Sequence, residues 1–158
     1  FEQTKLGVKG LIDSGITKIP SIFHHPPENL IPQPDPTPNS DPIPVINLLD
    51  TPREELLTQI GEASRKYGFF QVVNHGVGVN VLDNLVKAIR RFHELPGEER
   101  RKYYGRGVAT SCNYFSNVDL FVSKAASWRD TLQLRLGPSI VSLDAIPEIC
   151  RYVSWFSW

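Results

Sequence analysis

Apolar residues recur at helical spacing in two segments in the middle of the chain. In the first, residues 51–54 form a capping-box pattern with proline at the first helical position, and Gly68 is the predicted end of the helix. In the second, Asn80 is the predicted N-cap and Pro96 ends the helix. The apolar positions are Leu56, Leu57, Ile60, Ala63 and Tyr67 in the first helix and Val81, Leu82, Leu85, Val86, Ile89 and Phe92 in the second. Each set shares one face, so both helices are predicted to pack on a core.

Short runs with strand character lie around these helices. Residues 45–48 and the aromatic, β-branched residues 69–73 predict two buried strands, and residues 74–76 predict a turn. Residues 112–122 predict a strand and a turn, and residues 128–136 have the cleanest alternation in the chain. The apolar face of that last segment carries Trp128, Leu132, Leu134 and Leu136.

The remaining segments predict two short helices and one extended strap. Residues 3–14 predict a helix that ends at Gly15, and residues 98–102 predict a second one, because they begin acidic and finish basic. Eight prolines from Pro26 to Pro44 exclude a helix or a central strand there. We therefore predict an N-terminal helix with its exit, a Pro-rich strap or linker, a folded domain and an aromatic tail, at residues 1–23, 24–44, 45–151 and 152–158.

Composition and charge narrow the classes of function. The 158 residues carry 17 basic and 17 acidic side chains, which argues against nucleic acid or an anionic membrane as the main partner, since both favour a basic surface. No apolar run approaches the roughly 20 residues of a membrane span. Cys112 and Cys150 are too few for a disulfide framework, and we interpret them as buried thiols of a cytoplasmic protein.

The two ends of the chain are unusual. It contains no methionine, and two of its three tryptophans lie in the last four positions, at Trp155 and Trp158. We expect either a truncation inside a core or a foreign reading frame in the tail. Exposed aromatic residues there, together with an unpaired edge on the strand at residues 128–136, predict self-association.

The order of elements and several motifs resemble the N-terminal region of the plant non-haem iron, 2-oxoglutarate-dependent dioxygenases, nearest to the 1-aminocyclopropane-1-carboxylate oxidase homologues. The most specific motif is the run Tyr67-Gly68-Phe69-Phe70-Gln71-Val72-Val73-Asn74-His75-Gly76. Residues 7–20, 91–96, 117–120 and 127–131 complete the resemblance, which extends to Arg151. It implies an α+β fold with helices packed on a small sheet that extends the double-stranded β-helix, or jelly roll, of the catalytic half.

The resemblance also implies iron(II), 2-oxoglutarate and ascorbate for the full-length enzymes. In that family a His-x-Asp pair and a distant histidine bind the iron, and an Arg-x-Ser pair binds 2-oxoglutarate. None of the four histidines here has an acidic residue two positions later, and no arginine has a serine two positions later. We therefore predict no catalytic, cofactor-binding or metal-binding residue in this chain.

Each histidine has a structural interpretation that we prefer over metal binding. His24 and His25 precede two prolines and should lie on a surface strap. His75 should satisfy backbone groups at its turn. His93 ends a predicted helix, where a partly protonated imidazole would interact favourably with the helix dipole.

Two further groups of residues are candidates for binding. The basic pair at 90–91 and the basic triplet at 100–102 have acidic neighbours, so we interpret them as solvated helix faces rather than an anion site. Tyr114, Phe115 and Phe121 fall in a region that borders the substrate pocket in the family. Packing in the core is the alternative for these three, and it is the interpretation that we prefer.

These observations predict the N-terminal fragment of an oxidoreductase that acts on a small molecule in plant metabolism and is not catalytic by itself. Its expected partner is the missing C-terminal jelly-roll half, and only the complete enzyme would bind the small-molecule substrate. Nucleic acid and membranes are not expected as partners. A non-catalytic binding module and a decayed, truncated gene product remain as alternatives.

Overall fold

A computed structural model describes residues 1–30, 41–107, 110–117, 122–135, 137 and 142–151. The chain forms two compact units. One comprises Phe1–Ile31 and Asp83–Trp158, and the other comprises Pro32–Leu82. Helices and two small sheets are mixed along the chain, in line with the predicted α+β class. The helices are α1 (Gly7–Asp13), α2 (Arg53–Lys66), α3 (Val79–His93), α4 (Gly97–Arg101) and α5 (Glu148–Arg151), and the strands are β1 (Val45–Asn47), β2 (Gln71–Val73), β3 (Cys112–Ser116) and β4 (Asp130–Leu134).

The smaller unit is a β1–α2–β2 crossover. Strands β1 and β2 are parallel, with Ile46 opposite Val72, and a parallel pair requires a connection such as α2 between its strands. Ile46 on β1 and Ala63 on α2 are the buried apolar residues of this unit. The predicted strand at 69–73 is wrong in length and burial, because pairing covers only Gln71–Val73 and all three residues are exposed. With strands of three residues, the hydrogen bonds of β1 cannot extend to Phe69.

Helix α2 begins later than the capping box predicts. Pro52 is the N-cap residue, and α2 has no side-chain cap within the described part of the chain, so Thr51 does not cap it. The glutamates of the first turn, Glu54 and Glu55, complement the positive end of the helix dipole instead. Its end is as predicted, because Gly68 has a φ of +76° and its amide donates to the carbonyls of Ala63 and Ser64.

Two glycine substitutions, one inside α2 and one just after it, are expected to change stability in opposite directions. Gly68→Ala should lower the free energy of unfolding by about 1 kcal/mol, because alanine is strained at positive φ. Gly61→Ala should raise it by about 0.5–1 kcal/mol, because Gly61 lies inside the helix and a new Cβ would make only an ordinary contact with Arg65. Urea unfolding followed by circular dichroism measures both changes. If both variants changed the free energy of unfolding in the same direction, the helical conformation of Gly61 or the positive φ of Gly68 would be wrongly assigned.

The larger unit packs helices against the antiparallel hairpin β3–β4. The hairpin pairs Cys112 with Leu134 at one end and Ser116 with Asp130 at the other. The described part of its core contains side chains from α3, β3 and α5, together with Ile146, which lies two residues before α5. Its buried members are Ala88, Phe92, Tyr114, Ile146 and Cys150. A second, smaller cluster joins Val8 of α1 to Phe23 and Ala126.

Three predicted boundaries in this unit need correction. The N-terminal helix is shorter than residues 3–14, since Lys5 and Gly7 have positive φ and separate a single 3₁₀ turn at Glu2–Thr4 from α1. Helix α3 begins at Val79, so Asn80 lies in its first turn and is not the N-cap. The strap contains a 3₁₀ turn at Pro27–Asn29. Residues 31–40, Leu136 and the tail at 152–158 lie outside the described residues.

None of the described helices combines the length and the apolar character that a membrane span needs.

Candidate functional site

The hairpin β3–β4 presents two different faces, because side chains alternate along each strand. Tyr114 and Ser116 point to one face, where Asp130 and Leu132 lie opposite them in the register. Phe115 points to the other face. We refer to the first as the inner face, since Tyr114 belongs to the main hydrophobic core.

The Asp130 carboxylate is the centre of a hydrogen-bond network on the inner face. The backbone amide of Val8 donates to its Oδ1 at 2.7 Å, and the amide of Lys9 donates to its Oδ2 at 2.8 Å. The Ser116 hydroxyl also donates to Oδ1. The Tyr114 hydroxyl lies 3.0 Å from both Oδ2 and the Leu6 carbonyl oxygen, so one of these acceptors takes its proton at a time.

Gly7 allows this close approach between α1 and the hairpin. Its φ is +70°, a conformation that side-chain-bearing residues rarely adopt. A Cβ at this position would collide with Asp130 Oδ1 and with the Tyr114 hydroxyl. The network therefore depends on glycine at one position and on three polar side chains from the hairpin.

Arg100 lies completely buried behind the same face, with 0% of its side chain exposed. Its Nη1 donates to the His93 carbonyl at 2.9 Å, its Nη2 lies 3.4 Å from Asp13, and its guanidinium stands 5.9 Å from the centre of the Tyr114 ring. The interpretation of residues 100–102 as a solvated face is therefore wrong for Arg100. Arg100 points inward from α4 and reaches Asp13 of α1 and the last residue of α3.

His93 is half-buried at the end of α3, between Phe92 and Tyr114. Burial lowers its pKa below the ordinary value of 6.5, and nearby Arg100 lowers it further, while the Asp130 carboxylate acts in the opposite direction. Burial, the largest cause, thus favours the neutral ring over the partly protonated one that the helix end predicts.

The thiols and phenols of this region are poor nucleophiles. Burial raises the pKa of Cys112 to about 12 and raises that of Cys150, and both cysteines are free and buried, as predicted. Burial likewise raises the pKa of Tyr104 to about 12 and that of Tyr114 above its usual range. Nucleophilic catalysis needs a lowered pKa or an adjacent base, and these four groups have raised values.

The described residues contain no group of three or more His, Cys, Asp and Glu side chains that could hold a metal ion. His24 and His25 are exposed. The Nδ1 of His75 accepts the amide of Val77 at 3.1 Å, which is the predicted role at its turn. Neither the sequence motifs nor the described geometry fits the two histidines and one carboxylate of a non-haem iron site.

The three predicted pocket residues have different positions. Tyr114 is fully buried in the core and uses its hydroxyl within the network. Phe115 lies on the opposite face, 8% exposed, beneath the Arg106 guanidinium at 5.4 Å. Phe121 lies outside the described residues.

Sequence reasoning missed Asp130 and Arg100. The sequence does contain a sign of the role of Asp130. It lies on the same side of the strand as Trp128, Leu132 and Leu134, where it is the polar residue on an otherwise apolar face. The sequence contains no such sign for Arg100, since its neighbours Arg101 and Lys102 have the same chemistry and lie exposed.

Comparisons with known proteins match almost the whole chain. Residues 43–146 match the family described as the N-terminal part of the non-haem dioxygenase in morphine synthesis. The chain is 44% identical over 155 residues to 1-aminocyclopropane-1-carboxylate oxidase homolog 1 of Arabidopsis thaliana, with 95% of this chain and 42% of that protein covered. It is 42% identical over 158 residues to deacetoxyvindoline 4-hydroxylase of Catharanthus roseus, with 96% and 39% covered.

A solved structure gives the same match in three dimensions. The crystal structure of JOX2 in complex with 2OG, Fe and JA superposes with a TM-score of 0.66 at 28% identity, covering 93% of this chain and 42% of that one. The chain thus spans about two fifths of the length of the curated relatives it matches.

Proposed function

Because this chain belongs to the family of N-terminal regions of the plant 2-oxoglutarate-dependent dioxygenases, we propose that it is the N-terminal part of an iron(II)- and 2-oxoglutarate-dependent oxidoreductase. The complete enzyme acts on a small molecule in plant metabolism, and this part is not catalytic by itself. The observation that carries the proposal is the match to two fifths of each relative, combined with a sequence that has no His-x-Asp and no Arg-x-Ser pair. Iron, 2-oxoglutarate and ascorbate belong to the complete enzyme.

In the complete enzyme, the smaller unit packs against the C-terminal jelly-roll half. Strands β1 and β2 leave apolar side chains exposed, among them Val45 at 56% and Val73 at 41%. Phe69 and Leu49, which lie beside these strands, are 57% and 75% exposed. Exposed apolar side chains and open strand edges of this kind favour a protein partner. The same features support self-association when the partner is absent.

The hairpin forms one wall of the substrate pocket in this proposal. Phe115 lies on the opposite face of the hairpin from Tyr114, and Phe121 is the second aromatic residue that we assign to this wall. Tyr114 supports this wall from behind. A cytoplasmic location is part of the same proposal, and the two free, buried cysteines support it.

A binding module without catalysis is the second candidate, because the exposed side chains of β1 and β2 could equally contact another protein. A decayed gene product is the third. The genomic sequence after Arg151 distinguishes both alternatives from the N-terminal part of a dioxygenase. An intact reading frame that encodes His-x-Asp and Arg-x-Ser supports the dioxygenase. A sharp monomeric peak in size-exclusion chromatography at high concentration, with cooperative unfolding, supports the binding module.

The chain alone is expected to release no succinate from 2-oxoglutarate. The physical reason is that the sequence has no His-x-Asp pair, and the described residues contain no cluster of ligands for iron. The measurement is succinate release in the presence of iron(II), ascorbate and 2-oxoglutarate, with a full-length family member as positive control and a metal-free sample as blank. Release above the blank would refute the statement that this part is not catalytic by itself.

A further inference from the structure

Helix α1 is held by contacts that its own sequence does not provide. It has seven residues and Leu6 at its N-cap, and no side chain of the described chain caps it locally. A helix of this length is not stable alone in water. Its apolar contacts come from Val8 and Leu11, which pack in the small cluster with Phe23 and Ala126.

Asp130 replaces the missing cap from 122 positions away in sequence. Its two carboxylate oxygens accept the amides of Val8 and Lys9 at 2.7 and 2.8 Å, which are first-turn donors without partners inside the helix. Charge-assisted hydrogen bonds of this type are among the stronger ones in proteins. One carboxylate therefore joins the first turn of α1 to the hairpin.

The same carboxylate also restrains strand β3 on both sides of Phe115. The Tyr114 and Ser116 hydroxyls lie within hydrogen-bond distance of Asp130, and both point to the inner face. Because neighbouring side chains alternate, restraining residues 114 and 116 on one face determines how residue 115 projects from the other.

The other end of α1 carries a second contact of the same kind. Asp13 is paired with Lys9 within the helix and with the buried Arg100 at 3.4 Å. These charges hold the end of α1 that Asp130 does not reach. Arg100 in turn contacts Tyr114, so both ends of α1 are linked to the same residue of the hairpin.

From this geometry we propose that Asp130 is a positioning residue, which couples docking of α1 to the orientation of Phe115 on the outer face of the hairpin. This inference rests on the proposed function only in assigning the outer face to the substrate pocket. The coupling itself belongs to the chain as it is. It predicts that a substitution on the inner face changes the environment of the Phe115 ring, although the substituted side chain does not contact that ring.

The experiment compares Asp130→Asn with Asp83→Asn in the intact 158-residue chain. Both substitutions remove one carboxylate charge, but Asp83 is exposed on α3. Amide hydrogen exchange by NMR reports on Val8 and Lys9, and a 4-fluorophenylalanine label reports on Phe115, with its signal assigned from a Phe115→Leu sample. We expect Asp130→Asn to speed exchange at Val8 and Lys9 about tenfold or more and to move the Phe115 signal. We expect Asp83→Asn to change neither.

Tyr114→Phe and Ser116→Ala keep the inference testable if Asp130→Asn does not fold. Each removes one hydroxyl from the network and retains the rest of the side chain. A moved Phe115 signal in either variant, with α3 amides unchanged, supports the coupling. An unmoved Phe115 signal in every folded variant would overturn it, and so would unchanged exchange at Val8 and Lys9 in Asp130→Asn. These outcomes do not depend on succinate release, so they separate the coupling from the proposed function.

Discussion

We expect Phe92→Ala to lower the free energy of unfolding by about 3–5 kcal/mol, which is the range for a buried phenylalanine. The Phe92 side chain is 0% exposed, and its ring makes edge contacts with Tyr103 and Tyr114 at centroid distances of 5.8 and 5.6 Å. Truncation removes both contacts and leaves a cavity in the main core. Because small domains are stable by only about 5–15 kcal/mol, this variant should be close to unfolding at 25 °C.

Val86→Ala on the same helix is the matched control. Val86 is 47% exposed, and alanine is the better helix former, so we expect a change within about 0.5 kcal/mol. Urea unfolding followed at 222 nm measures both variants. If Phe92→Ala cost no more than Val86→Ala, the face of α3 that meets the core would be wrongly assigned.

Replacing Arg100 by alanine should lower the free energy of unfolding by about 3 kcal/mol. The variant loses a charged hydrogen bond to the His93 carbonyl, the contact with the Tyr114 ring and the volume of a fully buried side chain. Two effects limit this decrease in the free energy of unfolding. Burying the guanidinium is itself unfavourable, and Asp13 keeps Lys9 as a partner.

Two further variants test the reason for this loss. Arg100→Met restores much of the volume without charge, so it should cost less than Arg100→Ala by about 1 kcal/mol or more. Arg101→Ala removes only a surface pair with Glu98 at 3.2 Å and should change stability by less than about 0.5 kcal/mol. Similar losses for Arg100→Ala and Arg101→Ala would show that the buried position of Arg100 has no energetic consequence.

The basic run at 100–102 illustrates what sequence patterns can and cannot provide. Charge order alone predicted a short helix here, and α4 confirms it. The pattern could not assign which of three adjacent cations points inward, because that depends on where α1 and α3 lie in space. Arg100 is buried, whereas Arg101 and Lys102 pair with glutamates on the surface.

Element types were easier to predict than their ends or their burial. Gly68 and the turn at Asn74 and Gly76 were predictable because positive φ favours these residue types. The length of β2 was not, since strand length depends on its partner β1, which has only three residues. The family was evident from the motif at residues 67–76, which lies inside the matched segment 43–146.

The partner of Asp130 could not have been found from local pattern. The alternation along the strand shows Asp130 as a polar residue on an apolar face. Nothing near it in sequence indicates that its carboxylate oxygens accept hydrogen bonds from the amides of Val8 and Lys9. Local rules predict caps within a helix's own neighbourhood. A cap supplied by a distant strand requires the tertiary structure.

The distance in sequence between Asp130 and α1 has a consequence during translation. At typical elongation rates of about 5–20 residues per second, roughly 6–24 s separate synthesis of Val8 from synthesis of Asp130. Throughout that interval the first turn of α1 has neither its cap nor the hairpin on which it docks. Helix α1 is therefore synthesised before the other described helices but docks only after Asp130 has been made, so it remains available to chaperones throughout that interval.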